Sequence, residues 1–327
     1  MALPFSRNKN TPKAKGPRTK ALSPAAALRQ STNPLWLDAK RMLARKRFGQ
    51  NFLIDPRVVD GILRCLELDA TTDTVLEVGP GLGALTNQLL HHSQQLVAVE
   101  LDRNMVSYLN TALALHPHRN KLTLIQQDIM AYDLAQVPSE RFKVVGNLPY
   151  NISSGMLFKL AGELEVLHHA PRLALQQATF MLQREVGQRI SAKPGSKAYG
   201  PLTIMLQYWF EILAEFDVPP EAFEPSPKVH SMVVTLVPRP QPLCPVDDLN
   251  VMKRLVRASF QQRRKTLRNS LQQGTGLQEA QVLAALEACG ISPKERPEQL
   301  SIEQFGALAN VVSRQGLALP PTTPSTD

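Results

Sequence analysis

Asn147-Leu148-Pro149-Tyr150 concentrates unusual chemistry in four residues. Pro149 fixes its own φ and pushes Leu148 out of the helical region, so the turn is stiff. Asn147 offers a side-chain carbonyl, Leu148 a main-chain carbonyl and Tyr150 a flat ring beside them. Two acceptors next to a stacking face suit the exocyclic amine of a purine held edge-on. A plain turn around a buried tyrosine would use the same letters, so the rest of the chain has to decide.

Upstream, Gly79-Pro80-Gly81-Leu82-Gly83 lets the backbone approach a ligand closely at a helix N-terminus. Glu100 follows Gly79 by 21 positions, where a carboxylate can accept from both hydroxyls of a ribose. Gly79, Gly81 and Ala84 also satisfy the dinucleotide fingerprint G-x-G-x-x-G/A. Glu77 separates the two readings. A carboxylate just before the loop is a poor neighbour for a pyrophosphate but suits the ammonium and sulfonium of S-adenosylmethionine. Asp128 lies past a third strand, where it can accept from the adenine amine of a cofactor. Glycine loop, Glu100 and Asp128, in that order, favour S-adenosylmethionine over a nicotinamide cofactor.

These residues need a frame that brings strand ends together. Thr74-Val75-Leu76-Glu77-Val78 reads as a strand, followed by the glycine loop and a helix from Ala84 to Leu90. Leu96 to Glu100, Leu122 to Ile125 and Phe142 to Gly146 are further strands, with Asp102 the N-cap of an intervening helix. This is the βαβ alternation of an α/β, doubly wound parallel sheet, whose ligands sit at strand C-termini. A later strand at about 172–182 and a strand pair, Phe210 to Val218 and Val229 to Val237, follow. Pro238 to Pro245 holds four prolines in eight residues and marks a domain boundary. Beyond it the periodicity is helical at about 248–262, 279–289 and 302–313. The expected division is a basic disordered extension over 1–40, a catalytic domain over 41–238, a helical RNA-contacting domain over 239–318 and a disordered tail over 319–327.

Composition bounds the partners. The chain has 327 residues, 43% hydrophobic, enough for a real core. Its formal charge of +9 is unevenly spread: residues 1–37 hold seven bases and no acid, leaving thirty bases against twenty-eight acids elsewhere. A basic tail on a nearly neutral body points to an anionic partner, with a solubilising tail as the competing reading. Residues 251–278 hold seven further bases and no acid, and on one helix Lys253, Arg257, Arg264 and Arg268 would lie close to one face. Cys65, Cys244 and Cys289 are odd in number and far apart, which suits reduced thiols in a cytoplasmic compartment. The pairs His91-His92 and His168-His169 read as surface residues, and no metal is expected. No apolar run reaches a membrane span, and the start lacks a secretion signal. An organellar transit segment stays open, though the five prolines before residue 37 weaken it.

With these motifs combined, the chain resembles adenine-directed amino-methyltransferases, and most closely the small-subunit (16S) rRNA adenine dimethyltransferase family. The resemblance runs through Arg45-Lys46-Arg47-Phe48-Gly49-Gln50-Asn51-Phe52-Leu53, Glu77 to Gly83, Gly146 to Ser153 and Phe180-Met181-Leu182-Gln183-Arg184-Glu185. It continues through Tyr199-Gly200-Pro201-Leu202, Phe223-Glu224-Pro225-Ser226-Pro227-Lys228-Val229 and Ala258-Ser259-Phe260, spanning roughly 41–312. It implies a Rossmann-like methyltransferase fold with a smaller helical C-terminal domain. It implies that Gln50, Asn51 and Leu53 meet the cofactor from an N-terminal arm, with Gly79 and Gly81 along its methionine part. Glu100 would take the ribose, Asp128 and Ile129 the adenine. Asn147 and the Leu148 carbonyl would hold the target amine, and Tyr150 and Phe180 would sandwich the target base. The family methylates two neighbouring adenosines in the 3′-terminal stem-loop of 16S rRNA twice each, which implies four transfers, a small-subunit partner and a monomer. Arg45, Lys46, Arg47, Arg257, Arg264 and Arg268 are the expected RNA contacts. Two alternatives remain: a 23S rRNA methyltransferase of the macrolide-resistance type, and a non-catalytic assembly factor on the same fold.

Overall fold

The computed structural model describes residues 51–169, 174–262 and 264–317. The expected disordered segments, 1–40 and 319–327, lie outside them.

The described chain begins with a short strand, β1 (Phe52–Leu53), and helix α1 (Pro56–Leu66). Asp55 starts α1: its side chain accepts from the Arg57 N–H, and Pro56 occupies the first turn, where no N–H is needed. Then come β2 (Thr74–Val78), α2 (Ala84–His92), β3 (Gln95–Glu100), α3 (Arg103–Ala112), β4 (Leu122–Gln126) and β5 (Arg141–Asn147). Asp102 caps α3 by accepting from the Asn104 N–H, as its position predicts. Helix α4 (Ser153–His169), β6 (Ala174–Gln183), α5 (Arg184–Ile190), α6 (Pro201–Trp209), β7 (Phe210–Val218), β8 (Phe223–Glu224) and β9 (Ser231–Pro238) complete the sheet-bearing part.

Seven strands form one sheet in the order β4-β3-β2-β5-β6-β9-β7. The first five are parallel, while β9 runs antiparallel between β6 and β7, so the sheet is mixed rather than wholly parallel. The late strand pair is thus a hairpin closing one edge. β2 shows why the sheet is covered on both faces. Val75 belongs to one apolar cluster with Ile62 and Leu89, whereas Leu76 and Val78 belong to another with Leu157 and Leu160 of α4. Alternate side chains enter opposite layers, as strand periodicity requires. The strand order reverses direction at β2, and the crevice beyond the ends of β2, β3 and β5 is where such sheets bind ligands.

Gly146 makes the central contact possible. A Cβ there would lie 2.6 Å from the Val78 carbonyl oxygen, so only glycine lets β5 lie this close to β2.

The C-terminal part is helical: α7 (Leu249–Phe260), α8 (Leu267–Thr275), α9 (Glu279–Ala288) and α10 (Ile302–Arg314). The proline-rich segment before it is held against the sheet-bearing part. Arg239 N–H donates to the Trp209 carbonyl and Leu243 N–H to the Tyr208 carbonyl, at 2.8 and 2.9 Å. One apolar core runs from β5 through α6 to Leu255, Leu271 and Phe305.

One expectation needs correction. Lys253, Arg257, Arg264 and Arg268 do not share a helix, because α7 ends at Phe260 and α8 begins at Leu267, with Thr266 extended at its N-cap. The reversal lets Leu267 and Leu271 fold back beside Leu255, and it takes the adjacent bases Arg264 and Lys265 out of a helix interior. Arg268 Nη1 pairs with Glu279 Oε1 at 2.8 Å, while Arg264 is exposed.

Gly146→Ala should destabilise the protein by about 1–3 kcal/mol through overpacking. The check is a denaturant titration: the midpoint falls at unchanged slope. A midpoint equal to wild type would show that β2 and β5 do not need their close approach.

Candidate active site

A cleft of about 340 Å³ opens at the C-terminal ends of β2, β3 and β5. The glycine loop leaves β2 as its floor, with Gly79 and Gly81 at φ of +65° and +56°, values that disfavour any side chain. Gly79 N–H donates to the Val99 carbonyl at 2.9 Å, tying the loop to β3.

Glu100 ends β3 and is 3% exposed. Its Oε2 accepts from the Gly81 N–H at 3.1 Å and its Oε1 from the Asp102 N–H at 2.9 Å. Burial raises its pKa, and those two donors oppose the rise. Asp128 lies beyond β4, exposed, with Oδ1 accepting from the Met130 N–H at 2.9 Å, and Ile129 beside it is buried. Glu77, in β2, is 1% exposed. Burial pushes its carboxyl up to about 8, with the Glu100 charge adding to the rise and Thr86 opposing it. Oε2 of Glu77 and Oγ1 of Thr86 nevertheless lack partners of hydrogen-bond geometry among the described residues.

The Asn147 loop forms the opposite wall. Asn147 Nδ2 donates to the Asn51 carbonyl at 3.0 Å. That bond commits the amino end of the amide and leaves Oδ1 as the acceptor. Leu148 N–H donates to the Met181 carbonyl at 3.1 Å, anchoring the turn on β6. The Tyr150 hydroxyl lies 3.4 Å from Ser231 Oγ, and its ring lines the cleft. Over the top, β1 pairs antiparallel with β8, placing Leu53 opposite Phe223 and Phe52 opposite Glu224.

The structure brings Asn51, Leu53, Gly79, Gly81, Glu100, Asp128, Ile129, Asn147, Leu148 and Tyr150 to one cleft. Gln50, Arg45, Lys46 and Arg47 lie outside the described residues. Phe180 does not face Tyr150: it is fully buried within the core on β6 and does not line the cleft. Phe223 lines it instead, carried there by β8. Its sequence signal was present in Phe223-Glu224-Pro225-Ser226-Pro227, a stiff proline-bracketed turn, but pairing with β1 is not visible in a linear reading. Four acids, Glu77, Glu100, Asp102 and Asp128, line the cleft with no Lys, Arg or His among the described lining residues. Such a wall disfavours a pyrophosphate and favours a cationic ligand with hydroxyl and amine donors.

A mixed Rossmann-like sheet with this glycine loop, strand-end acids and an asparagine-centred turn defines a methyltransferase. Comparison with known proteins narrows the class. Residues 41–314 match the family model described as ribosomal RNA adenine dimethylase. A "Ribosomal RNA small subunit methyltransferase A" from Shewanella sp. (strain MR-7) is 44% identical over 82% of this chain and 94% of its own length. One of the same name from Vibrio parahaemolyticus is 43% identical over 82% and 93%. Among solved structures, the 23S rRNA methyltransferase ErmE is 27% identical with a TM-score of 0.60, covering 80% of this chain and all of its own. A Plasmodium falciparum dimethyladenosine transferase has a TM-score of 0.68 at 24% identity, covering 81% and 98%. The chain belongs to the ribosomal RNA adenine dimethylase family.

The Glu77 carboxyl gives a stability prediction with a definite sign. Its folded pKa lies above the unfolded one, so it favours the folded state below the unfolded value, and that contribution is lost as pH rises toward 8. Glu77→Gln should remove this loss, leaving the variant the more stable protein above about pH 8. Thermal melts of both proteins between about pH 6 and pH 9 test it; parallel curves would show that Glu77 does not titrate on folding.

Proposed function

We propose that this enzyme methylates the N6 amines of adenosines in small-subunit rRNA with S-adenosylmethionine as donor. The observation that carries the reading is the Asn147 amide, turned by its bond to Asn51 so that an acceptor remains beside Tyr150 and Phe223. The residues present fit the cofactor, since a buried carboxylate oxygen without a donor and an all-acidic wall suit a cation. S-adenosylmethionine supplies an electrophilic methyl group on a sulfonium sulfur. Glu100 would accept from the ribose hydroxyls, and Asp128 from the cofactor's adenine amine through the oxygen that Met130 does not use.

The target amine is a weak nucleophile because its lone pair is delocalised into the ring. Asn147 Oδ1 and the Leu148 carbonyl, accepting from it, favour a pyramidal nitrogen and offset the positive charge that develops. Tyr150 and Phe223 hold the base by stacking, a positioning effect. A base can reach such a cleft only by leaving its own stack, so an unpaired loop nucleotide is the cheapest target. The family resemblance extends the reading to two neighbouring adenosines of the 3′-terminal stem-loop and four transfers in all. The 43–44% identity to small-subunit enzymes favours that substrate over the large-subunit RNA named for ErmE.

The direct test is incubation with unmethylated small subunits and mass analysis of the nucleosides. N6,N6-dimethyladenosine confined to small-subunit RNA is expected; product only in large-subunit RNA would sink the proposal. Asn147→Ala should cut the single-turnover rate by a factor on the order of 10²–10³ while cofactor affinity changes little, because its acceptor serves charge present mainly in the transition state. Equal losses in rate and affinity would place Asn147 in the cofactor site alone.

RNA affinity should come largely from phosphate contacts on the helical part. Arg257→Gln with Arg264→Gln should weaken binding and flatten its dependence on salt by roughly 0.7–0.9 slope units per lost contact. The rate at saturating RNA should persist. An unchanged slope would move the phosphate site elsewhere.

A further inference from the structure

The cleft contains one acid whose protonation state the cofactor reading leaves open. Glu77 is 1% exposed, lines the cleft, and has one carboxylate oxygen with no hydrogen-bond partner among the described residues. Ionising a buried carboxylate in that state is costly, whereas its protonated form is tolerated. Two elements place groups against it. Thr86 of α2 brings a hydroxyl that is itself unpartnered, and Glu100 at the end of β3 brings a like charge. No cationic side chain lines this cleft among the described residues.

Both acids face donors, Thr86 alone for Glu77 and two separate main-chain groups for Glu100. Glu100 accepts from the Gly81 and Asp102 N–H groups at 3.1 and 2.9 Å, whereas one oxygen of Glu77 is left without a partner among the described residues. Donors to the charged form favour ionisation, and two neighbouring carboxylates do not ionise independently. Glu100 is therefore arranged to carry the charge, and Glu77 to carry the proton.

We propose that Glu77 is a proton-linked sensor of positive charge, releasing its proton to solvent when a cationic cofactor enters the cleft. The inference rests on the cofactor reading above and adds to it the charge state of the site. In the step the carboxyl O–H bond breaks, the proton passes to buffer, and the carboxylate stays in the cleft opposite the ligand's charge. Nothing is oxidised or reduced. Cofactor affinity then rises with pH until Glu77 is already ionised in the free protein. A ligand that keeps the adenosine but carries no positive charge gains nothing from the step.

Calorimetric titration of the full chain at about pH 7, in two buffers of different ionisation enthalpy, counts protons released per ligand bound. S-adenosylmethionine is compared with 5′-methylthioadenosine, which keeps the adenosine and lacks both the sulfonium and the amino acid. About one proton should be released with the first ligand and none with the second, and the release should fade by about pH 9. Glu77→Gln should abolish the release, and Glu77→Asp should retain it. Relative to Glu77→Gln, wild-type affinity should tighten by up to about tenfold per pH unit below pH 8. Equal release with both ligands, or undiminished release in Glu77→Gln, overturns the proposal. The two-ligand comparison uses the wild-type protein, so it stands even where a variant fails to fold. Binding of S-adenosylmethionine without proton release overturns this inference alone, and no binding at all overturns the cofactor reading with it.

Discussion

The site depends on how closely β2 and β5 lie together. Val78 ends one strand and Gly146 sits near the end of the other, with only 2.6 Å available for any Cβ between them. Because the strands meet there, the glycine loop and the Asn147 loop leave the sheet side by side and form facing walls of one cleft. The contact is a property of backbone shape, to which side-chain hydrogen bonds then add. Asn147 reaches across 96 residues of sequence to the Asn51 carbonyl, so the residue before β1 orients the amide of the proposed site.

Charge is segregated on this frame. The chain carries +9 overall, yet the cleft is lined by four acids and, among its described residues, by no base. The bases gather instead around α7 and the turn before α8, with Arg264 exposed there. On the proposed function, an RNA backbone would be attracted to the second region and repelled from the first. A neutral base could then enter where phosphate could not, separating grip from chemistry without any contact to base sequence.

Much of this was legible in the residues. The strands with their end-point acids follow from short apolar runs and turn chemistry, and Asp102 caps its helix because an aspartate before an apolar-periodic run does so. What failed depended on tertiary partners. The helical periodicity already ends near 262 and the run Gln261 to Thr266 is wholly polar, but placing Lys253, Arg257, Arg264 and Arg268 on one face carried the helix through that break. The turn forms because α8 buries Leu267 and Leu271. Phe180 and Phe223 are both aromatic and both lie in motif-like stretches. Phe180 is inside because its face of β6 belongs to the large apolar core that includes Leu157, Leu160 and Leu206, while Phe223 reaches the cleft through a two-residue strand. The mixed edge is of the same kind: a hairpin reading of β7 and β9 cannot say which of the two pairs with β6.

That two-residue strand binds the two halves of the site into one unit. Leu53 of β1 lies opposite Phe223 of β8, and Phe52 packs its ring 3.2 Å from where a Cβ on Gly81 would be. The same ribbon therefore lies against the glycine loop and carries Phe223 into the lining of the cleft. Asn51, immediately before it, holds the Asn147 amide. A ribbon displaced from the glycine loop would shift Phe223 and release Asn147 together. The glycine loop and the Asn147 turn are thus held by one short ribbon, so the two walls of the cleft are positioned by the same backbone pairing.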